Sequence, residues 1–111
     1  MKAIKYEKPW DVACVEMDKP VRKKGEAMIK IMTAGICGSD IGAFRGTNGL
    51  VSYPRVIGHE LAGIIEEIDE DNPKGFKVGD HVIVDPYLYC GHCYPCSIGR
   101  TNCCTDLHVL G

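Results

Sequence analysis

Residues 90–104 read CGHCYPCSIGRTNCC, a cysteine-dense stretch around which the rest of the chain can be interpreted. Intervals of two, two and seven residues separate four of its cysteines: Cys90, Cys93, Cys96 and Cys104. This spacing suits four thiolates around one tetrahedral zinc ion, with no coordination position left open for a substrate. The sequence therefore predicts a structural zinc lobe over residues 87–107, which we expect to be unfolded without its metal.

Disulfide bonds are the competing interpretation, because seven cysteines in 111 residues is a high count. Three features oppose it: residues 1–6 do not resemble a signal peptide, the number of cysteines is odd, and cysteines two residues apart form strained disulfides. We therefore expect reduced thiols, metal binding and a cytoplasmic protein.

The overall composition limits the classes of partner. Thirteen basic and fifteen acidic residues give a net charge of −2, and the only basic cluster is Arg22-Lys23-Lys24. We expect no nucleic-acid partner, and no membrane association, because no apolar run approaches the roughly 20 residues of a membrane span. At this length the chain forms one domain at most and buries only about 60–65% of its unfolded surface, so a metal-bound lobe is a useful second stabiliser.

Short apolar runs separated by Gly, Pro, Asp and Asn predict a mainly β fold. The predicted strands cover residues 3–6, 12–17, 27–34, 56–68 and 81–85. Within the fourth run, residues 61–65 are apolar throughout, which is typical of a central strand.

One short helix is expected from Ser39 or Asp40 to about Phe44. Serine and aspartate are good N-cap residues, and Gly46 can close the C-terminus of the helix. Cys37 lies where a strand ends and this helix begins, so the positive end of the helix dipole would favour a thiolate there.

His59 and Glu60 follow Cys37 by about twenty residues and form a second pair of ligand-type side chains. Adjacent residues of a strand point to opposite faces, so both reach one metal only if the chain bends, which Gly58 permits. Each feature alone is more typical of a buried cysteine or a surface pair. Beside a four-cysteine lobe, together they predict the beginnings of an open, catalytic metal site.

Four motifs in this order resemble one known family, the zinc-dependent medium-chain alcohol or polyol dehydrogenases of the sorbitol and threonine dehydrogenase type. They are the runs GICGSD (35–40), GHELAG (58–63) and VGDHV (78–82) and the cysteine lobe with Gly99 and Asn102. The resemblance spans about residues 24–111. It implies a GroES-like partial barrel with a short helix and a zinc-binding lobe.

The family's functional residues match positions of this chain. By resemblance, Cys37 and His59 would bind the catalytic zinc, with Glu60 as a direct or alternating ligand. Asp40 would hydrogen-bond the ring nitrogen of His59 that faces away from the metal, and Ser39 would accept the proton of the substrate hydroxyl. The reaction implied is oxidation of a small secondary alcohol or polyol to a ketone, with hydride transfer to NAD or NADP.

Two departures qualify the resemblance. Gly42 stands where the family often has a histidine that continues the proton relay, which leaves the proton's exit open. No Gly-x-Gly-x-x-Gly fingerprint occurs in residues 1–111, so we expect a truncated N-terminal catalytic domain, without its Rossmann domain and inactive alone. The full-length enzyme would be a homo-oligomer, a dimer or tetramer.

Two alternatives remain at this point. One is a zinc-stabilised module that binds a protein partner without catalysis, and the other is the zinc-free quinone reductase branch of the same superfamily. The Cys37 and His59 pair favours the dehydrogenase over both. Among the remaining residues, Cys14 is interpreted as a buried hydrophobe, Cys103 as a packing residue, and His92 as a neighbour that contacts the lobe from outside.

Overall fold

The computed structural model describes all 111 residues, and most of its regular structure is β-strand. The strands are β1 (Lys2–Lys8), β2 (Asp11–Glu16), β3 (Met28–Ala34), β4 (Arg55–Val56), β5 (Leu61–Glu67), β6 (His81–Ile83), β7 (Tyr87–Leu88) and β8 (His108–Val109). The helices are α1 (Gly38–Arg45), α2 (Tyr94–Ser97) and a 3₁₀ turn over Thr101–Cys103. None of these helices has the length and apolar composition needed to cross a bilayer. The mainly β fold class is confirmed, and none of the three sheets closes into a complete barrel.

The first sheet has the strand order β2-β1-β4, and both pairs are antiparallel. Along β2 the side chains alternate between half-buried and exposed. Val12 and Cys14 share the exposed face of this edge strand, so the expectation that Cys14 is a buried hydrophobe is wrong. Alternation identifies two faces of a strand, but it does not show which face another element covers.

The second sheet has the order β3-β5-β6, which confirms that residues 61–65 lie in a central strand. Ile65 is only 3% exposed and belongs to the small core. Gly63 is buried opposite Ile31, where the backbones of β3 and β5 approach closely. An apolar run with a glycine at this point therefore fits a strand that has neighbours on both sides.

The single strand expected over residues 56–68 is wrong, because the chain turns a corner inside it. β4 ends at Val56, residues 57–60 have no regular structure, and β5 begins at Leu61 in the other sheet. Gly58 takes a φ of 118°, a backbone conformation that residues with side chains rarely adopt. The bend places His59 between the two sheets rather than within either of them.

Helix α1 begins earlier than expected, because its N-cap is Cys37 rather than Ser39 or Asp40. The Sγ atom of Cys37 accepts the backbone N–H of Ser39 at 3.3 Å, and the Asp40 carboxylate accepts the backbone N–H of Cys37 at 2.9 Å. This reciprocal pair forms a capping box, with sulfur in the place of the usual hydroxyl oxygen. The C-terminus closes at Gly46 with a φ of 74°, as predicted.

Two tyrosine hydroxyls attach α1 to the first sheet and to the loop that follows the helix. Tyr6 donates to the carbonyl oxygen of Asp40 at 3.4 Å, and Tyr53 donates to that of Ala43. Burial raises the pKa of Tyr6, and the negative charge of Asp40 raises it further, so this hydroxyl keeps the proton that it donates. Ala43 is 3% exposed, and these two hydrogen bonds connect the helix to β1 and to the loop that carries Tyr53.

Gly63→Ala tests the close approach of β3 and β5. A Cβ atom at residue 63 would lie 2.4 Å from the carbonyl oxygen of Lys30 and 2.7 Å from Cγ2 of Ile29, so the strands would have to separate. We expect the free energy of unfolding, measured by urea denaturation, to fall by about 1–3 kcal/mol. Gly49→Ala is the matched control, since a Cβ there meets nothing within 4 Å. Equal losses in both variants would contradict the steric explanation.

Candidate metal centres

Four cysteine thiols meet in the lobe between β7 and β8. The Sγ atoms of Cys90, Cys93, Cys96 and Cys104 all lie within 4.8 Å of one another. Cys93 Sγ is 3.4 Å from Cys96 Sγ and 3.9 Å from Cys104 Sγ. Tetrahedral zinc with Zn–S bonds of about 2.3 Å holds its sulfurs about 3.8 Å apart, whereas a disulfide joins them at about 2 Å. The arrangement fits a metal ligand set, and every cysteine of the chain is free.

Tight turns direct backbone N–H groups towards these sulfurs. The N–H of Cys93 donates to Cys90 Sγ at 3.4 Å, and those of Cys90 and Asp106 donate to Cys104 Sγ at 3.3 and 3.4 Å. Hydrogen bonds to sulfur stabilise the thiolate relative to the thiol. The local backbone is therefore arranged for anionic sulfur, the form that binds metals.

The thiols of the lobe differ in how readily they ionise. Hydrogen bonds from the backbone N–H groups of Thr105 and Cys96 lower the pKa of Cys93 to about 6. Burial, together with a hydrogen bond to Cys93, raises the pKa of Cys96 to about 12. One thiolate disfavours a second beside it, and a divalent cation removes that repulsion. The donor set therefore fits a thiolate-binding cation such as Zn²⁺.

Two other lobe residues lie outside the thiol cluster. Cys103 is exposed, so the packing role expected for it is wrong. It ends the 3₁₀ turn, and its neighbour Cys104 is the residue that this turn buries. His92 is also exposed, and its Nδ1 atom lies 2.9 Å from the carbonyl oxygen of Cys90, a contact from outside the cluster.

A second group of ligand-type side chains forms where α1 begins beside the corner at Gly58. Cys37 Sγ lies 3.1 Å from His59 Nε2, and a carboxylate oxygen of Asp40 belongs to the same 4.8 Å group. Cys37 comes from the N-cap of the helix and His59 from the irregular residues between the sheets. A thiolate and an imidazole nitrogen are ligands that suit zinc, and two protein ligands leave positions open for others.

Asp40 uses both of its carboxylate oxygens within this group. Oδ1 lies 3.4 Å from His59 Nδ1, and Oδ2 accepts the backbone N–H of Cys37. The residue is 6% exposed, so these partners replace the water that its charge would otherwise require. Asp40 therefore orients the imidazole so that Nε2 faces Cys37, and both of its oxygens already have partners within the protein.

Ser39 lies at the same end of the helix, with its Oγ atom 2.7 Å from Cys37 Sγ and 3.4 Å from His59 Nε2. The side chain is exposed. Gly42, one turn further along α1, lies next to Thr47 and Asn48, and it offers no side chain that could continue a proton relay from Ser39.

Glu60 is the one expected ligand that the structure does not bring to the group. It is exposed and lies outside the 4.8 Å cluster, with its carboxylate over the backbone of Gly35. The chain bends at Gly58 as required, but the bend turns His59 towards Cys37, and the Glu60 carboxylate lies next to Gly35 instead. An alternating role for Glu60 stays a prediction.

A cavity of about 240 Å³ opens beside Ser39 and His59. Its walls are completed by residues outside the predicted site, among them Asn48, Leu50, Arg55, Tyr87, Leu107 and Val109. Arg55 braces one wall by donating to the carbonyl oxygens of Gly111 and Val109 at 2.8 and 3.1 Å. No motif marks these residues, because they meet only when the loop after α1 and the segment after the lobe fold onto the corner.

Several known proteins are similar to this chain in sequence, and solved structures are similar to it in architecture. The chain is 54% identical over 111 residues to an uncharacterized zinc-type alcohol dehydrogenase-like protein of Haemophilus influenzae, and 40% identical over 111 residues to L-galactonate-5-dehydrogenase of Escherichia coli K12. The crystal structure of an E. coli CFT073 alcohol dehydrogenase, RspB, complexed with the cofactor NADH, matches at 49% identity with a TM-score of 0.87. Each match covers 100% of this chain and 32% of the other protein, so the chain spans about a third of these relatives.

The family model described as the alcohol dehydrogenase GroES-like domain matches residues 23–111. These residues include both metal-ligand clusters, the helix α1 and all of the second sheet. The match covers most of the chain, and this protein therefore belongs to the alcohol dehydrogenase GroES-like domain family.

Proposed function

We propose that this chain is the N-terminal catalytic domain of a zinc-dependent alcohol or polyol dehydrogenase, which oxidises a secondary alcohol to a ketone with NAD or NADP. The observation that carries the proposal is the 3.1 Å contact between Cys37 Sγ and His59 Nε2, with Asp40 on the other ring nitrogen. The zinc-type relative, the L-galactonate dehydrogenase and the NADH complex of RspB support the reaction class and the cofactor.

The proposed reaction needs a nicotinamide-binding domain in addition to this chain. Residues 1–111 form the catalytic domain, and residues 87–107 within it form a structural zinc lobe. The chain spans 32% of its relatives, so we assign the nicotinamide-binding Rossmann domain to sequence outside it. Without that domain, residues 1–111 should have no dehydrogenase activity.

Cys37 and His59 would hold the catalytic zinc, and the four lobe cysteines the structural one. Bound between Cys37 and His59, zinc supplies Lewis acidity, which makes a substrate hydroxyl easier to deprotonate at neutral pH. Asp40 Oδ1 lies 3.4 Å from His59 Nδ1, so the carboxylate would favour the tautomer with its proton on Nδ1, which leaves the lone pair of Nε2 available to the metal. Asp40 also fixes the backbone of Cys37, so one carboxylate positions both ligands.

Ser39 is the residue that receives the proton of the substrate hydroxyl. Its Oγ atom lies within 3.4 Å of both ligand atoms and borders the cavity. The residue is exposed, so water can take the proton from the serine directly. Gly42 therefore does not block the reaction, because the exit of the proton needs no histidine at that position.

The cavity favours a small polar substrate. At about 240 Å³ it is smaller than the range of drug-sized pockets, and its walls combine apolar residues with Asn48 and Tyr87. An amide and a phenol can each hydrogen-bond a second hydroxyl of a polyol. These groups support a polyol or sugar-derived alcohol over an unsubstituted one.

The interaction-module alternative explains the lobe but gives no role to the second cluster of Cys37, Asp40 and His59. The zinc-free quinone reductase alternative has no need for either cluster.

We further propose a cytoplasmic enzyme, since all of the cysteines are free thiols. We also propose a dimer or tetramer, since large apolar side chains such as Tyr94 are exposed.

Cys96→Ser tests the structural zinc. We expect the full-length protein to lose about one zinc per chain, because three thiolates no longer complete the tetrahedral site. Elemental analysis of the purified protein measures the loss. Cys103→Ser is the matched control, since this neighbouring thiol is exposed and lies outside the cluster, and its zinc content should equal that of the wild type. Unchanged zinc in Cys96→Ser would refute the assignment of the lobe.

Asp40→Asn tests the orientation of His59. Asparagine keeps the shape of the side chain and can still accept the backbone N–H of Cys37, but it loses the charge that stabilises the imidazole in its metal-binding tautomer. We expect zinc affinity at the catalytic site to fall by about 10–100-fold, measured by competition with a chelator. Circular dichroism should show an unchanged fold. An unchanged zinc affinity would show that Asp40 does not support metal binding.

Ser39→Ala should lower kcat of the full-length enzyme by about 100-fold or more, because the proton acceptor is removed. Ser39→Thr keeps a hydroxyl at the same position and should retain most of the activity. Initial rates of NADH or NADPH formation with a polyol substrate measure both variants. If Ser39→Ala remained as active as Ser39→Thr, the proton would have to leave by another group.

A further inference from the structure

Glu60 follows His59 directly, yet its carboxylate lies over Gly35 instead of beside Cys37. A Cβ atom built on Gly35 would lie 2.4 Å from Glu60 Oε2 and 3.0 Å from Glu60 Cβ. The backbone of Gly35 is not in the positive-φ region, so its conformation does not itself demand glycine. The glutamate occupies a space that exists because residue 35 has no side chain.

The backbones on either side of this space are held together. The N–H of Gly35 donates to the carbonyl oxygen of Glu60 at 2.8 Å. Next to it, Ala34 of β3 pairs with Leu61 of β5 at the end of the ladder. These hydrogen bonds oppose a separation of the two segments. A Cβ at residue 35 would therefore displace the flexible end of the Glu60 side chain, whose Oε2 atom is nearest, and Glu60 Cβ would also have to shift by a few tenths of an ångström.

The carboxylate of Glu60 is not held in this space by polar contacts. The hydrogen bonds and ion pair of the site connect Cys37, Ser39, Asp40 and His59 with one another, and none of them involves the Glu60 carboxylate. The residue is exposed, so water solvates its charge. Leaving this position breaks no hydrogen bond within the protein, and a cation between Cys37 and His59 would attract the carboxylate.

We propose that Gly35 is a positioning residue for the catalytic metal: the space over its backbone is the resting place of the Glu60 carboxylate, away from Cys37 and His59. The size of residue 35 then sets the balance between a resting and a metal-binding glutamate. A larger residue would move the Glu60 carboxylate towards the metal, where it would compete with a substrate oxygen. This inference rests on the proposed function, because it requires a metal held by Cys37 and His59.

Gly35→Ala in the full-length protein tests the inference, with Co²⁺ as the spectroscopic probe in place of zinc. We expect weaker d–d absorption than in the wild type, because an added carboxylate ligand moves the metal away from tetrahedral geometry. We also expect a chelator to remove the metal about tenfold more slowly, since one more ligand must dissociate. Difference spectra against the wild type remove the contribution of the lobe, which is the same in each protein. Neither readout depends on turnover.

Two further variants separate this effect from general distortion. Gly38→Ala lies in the same segment and its Cβ would meet nothing within 4 Å, so its spectrum and metal release should equal those of the wild type. Gly35→Ala combined with Glu60→Ala should match Glu60→Ala alone, because the displaced carboxylate is gone. A Gly35→Ala protein identical to the wild type would overturn the inference, as would a change that persists in the double variant. A wild type that binds no Co²⁺ at Cys37 and His59 would instead overturn the proposed function itself.

Discussion

The buried carboxylate of Asp40 is the interaction on which the rest of this domain depends. Its oxygens accept the backbone N–H of Cys37 and face Nδ1 of His59, while its own carbonyl oxygen accepts the hydroxyl of Tyr6. A charge that is only 6% exposed is stable when such partners replace its hydration. The start of α1, the corner between the sheets and the first strand are therefore fixed relative to one another through one residue.

The two ligand clusters are built in different ways. The four lobe cysteines come from one stretch of chain, and tight turns with backbone N–H groups directed at sulfur bring them together. Cys37 and His59 come from a helix start and from a bend between two sheets, so their meeting requires the whole domain. Local geometry is enough for the first cluster, whereas the second depends on tertiary structure. Glycines contribute to both clusters: they form turns in the lobe, and the lack of a side chain at Gly35 leaves space beside the second cluster.

This difference explains how much the sequence could predict. The mainly β fold, the central strand β5 and the end of α1 at Gly46 follow from patterns within a few residues, and the structure confirms them. The bend at Gly58 was anticipated from the glycine, but the change of sheet at residues 57–60 was missed, because an apolar run does not show that a chain leaves one sheet for another. Cysteine is an unusual N-cap, so propensity favoured Ser39 or Asp40 over Cys37. The position of Glu60 depends on the absence of a side chain at Gly35, in another segment. The exposure of Cys14 depends on which face of β2 is covered by other elements. Patterns in a single sequence show neither of these tertiary contacts.

The attachment of the lobe has a consequence for the order in which the domain loses structure. The lobe is closed by the two-residue pairing of β7 with β8 and braced by Arg55, and it contributes no strand to either larger sheet. Opening it breaks no hydrogen bond of the β1 or β5 ladders. With so few connections, the lobe would be able to unfold locally while both sheets stay paired. Because Arg55 and Val109 also line the cavity beside His59, that local event would open one wall of the site while the rest of the domain stays folded.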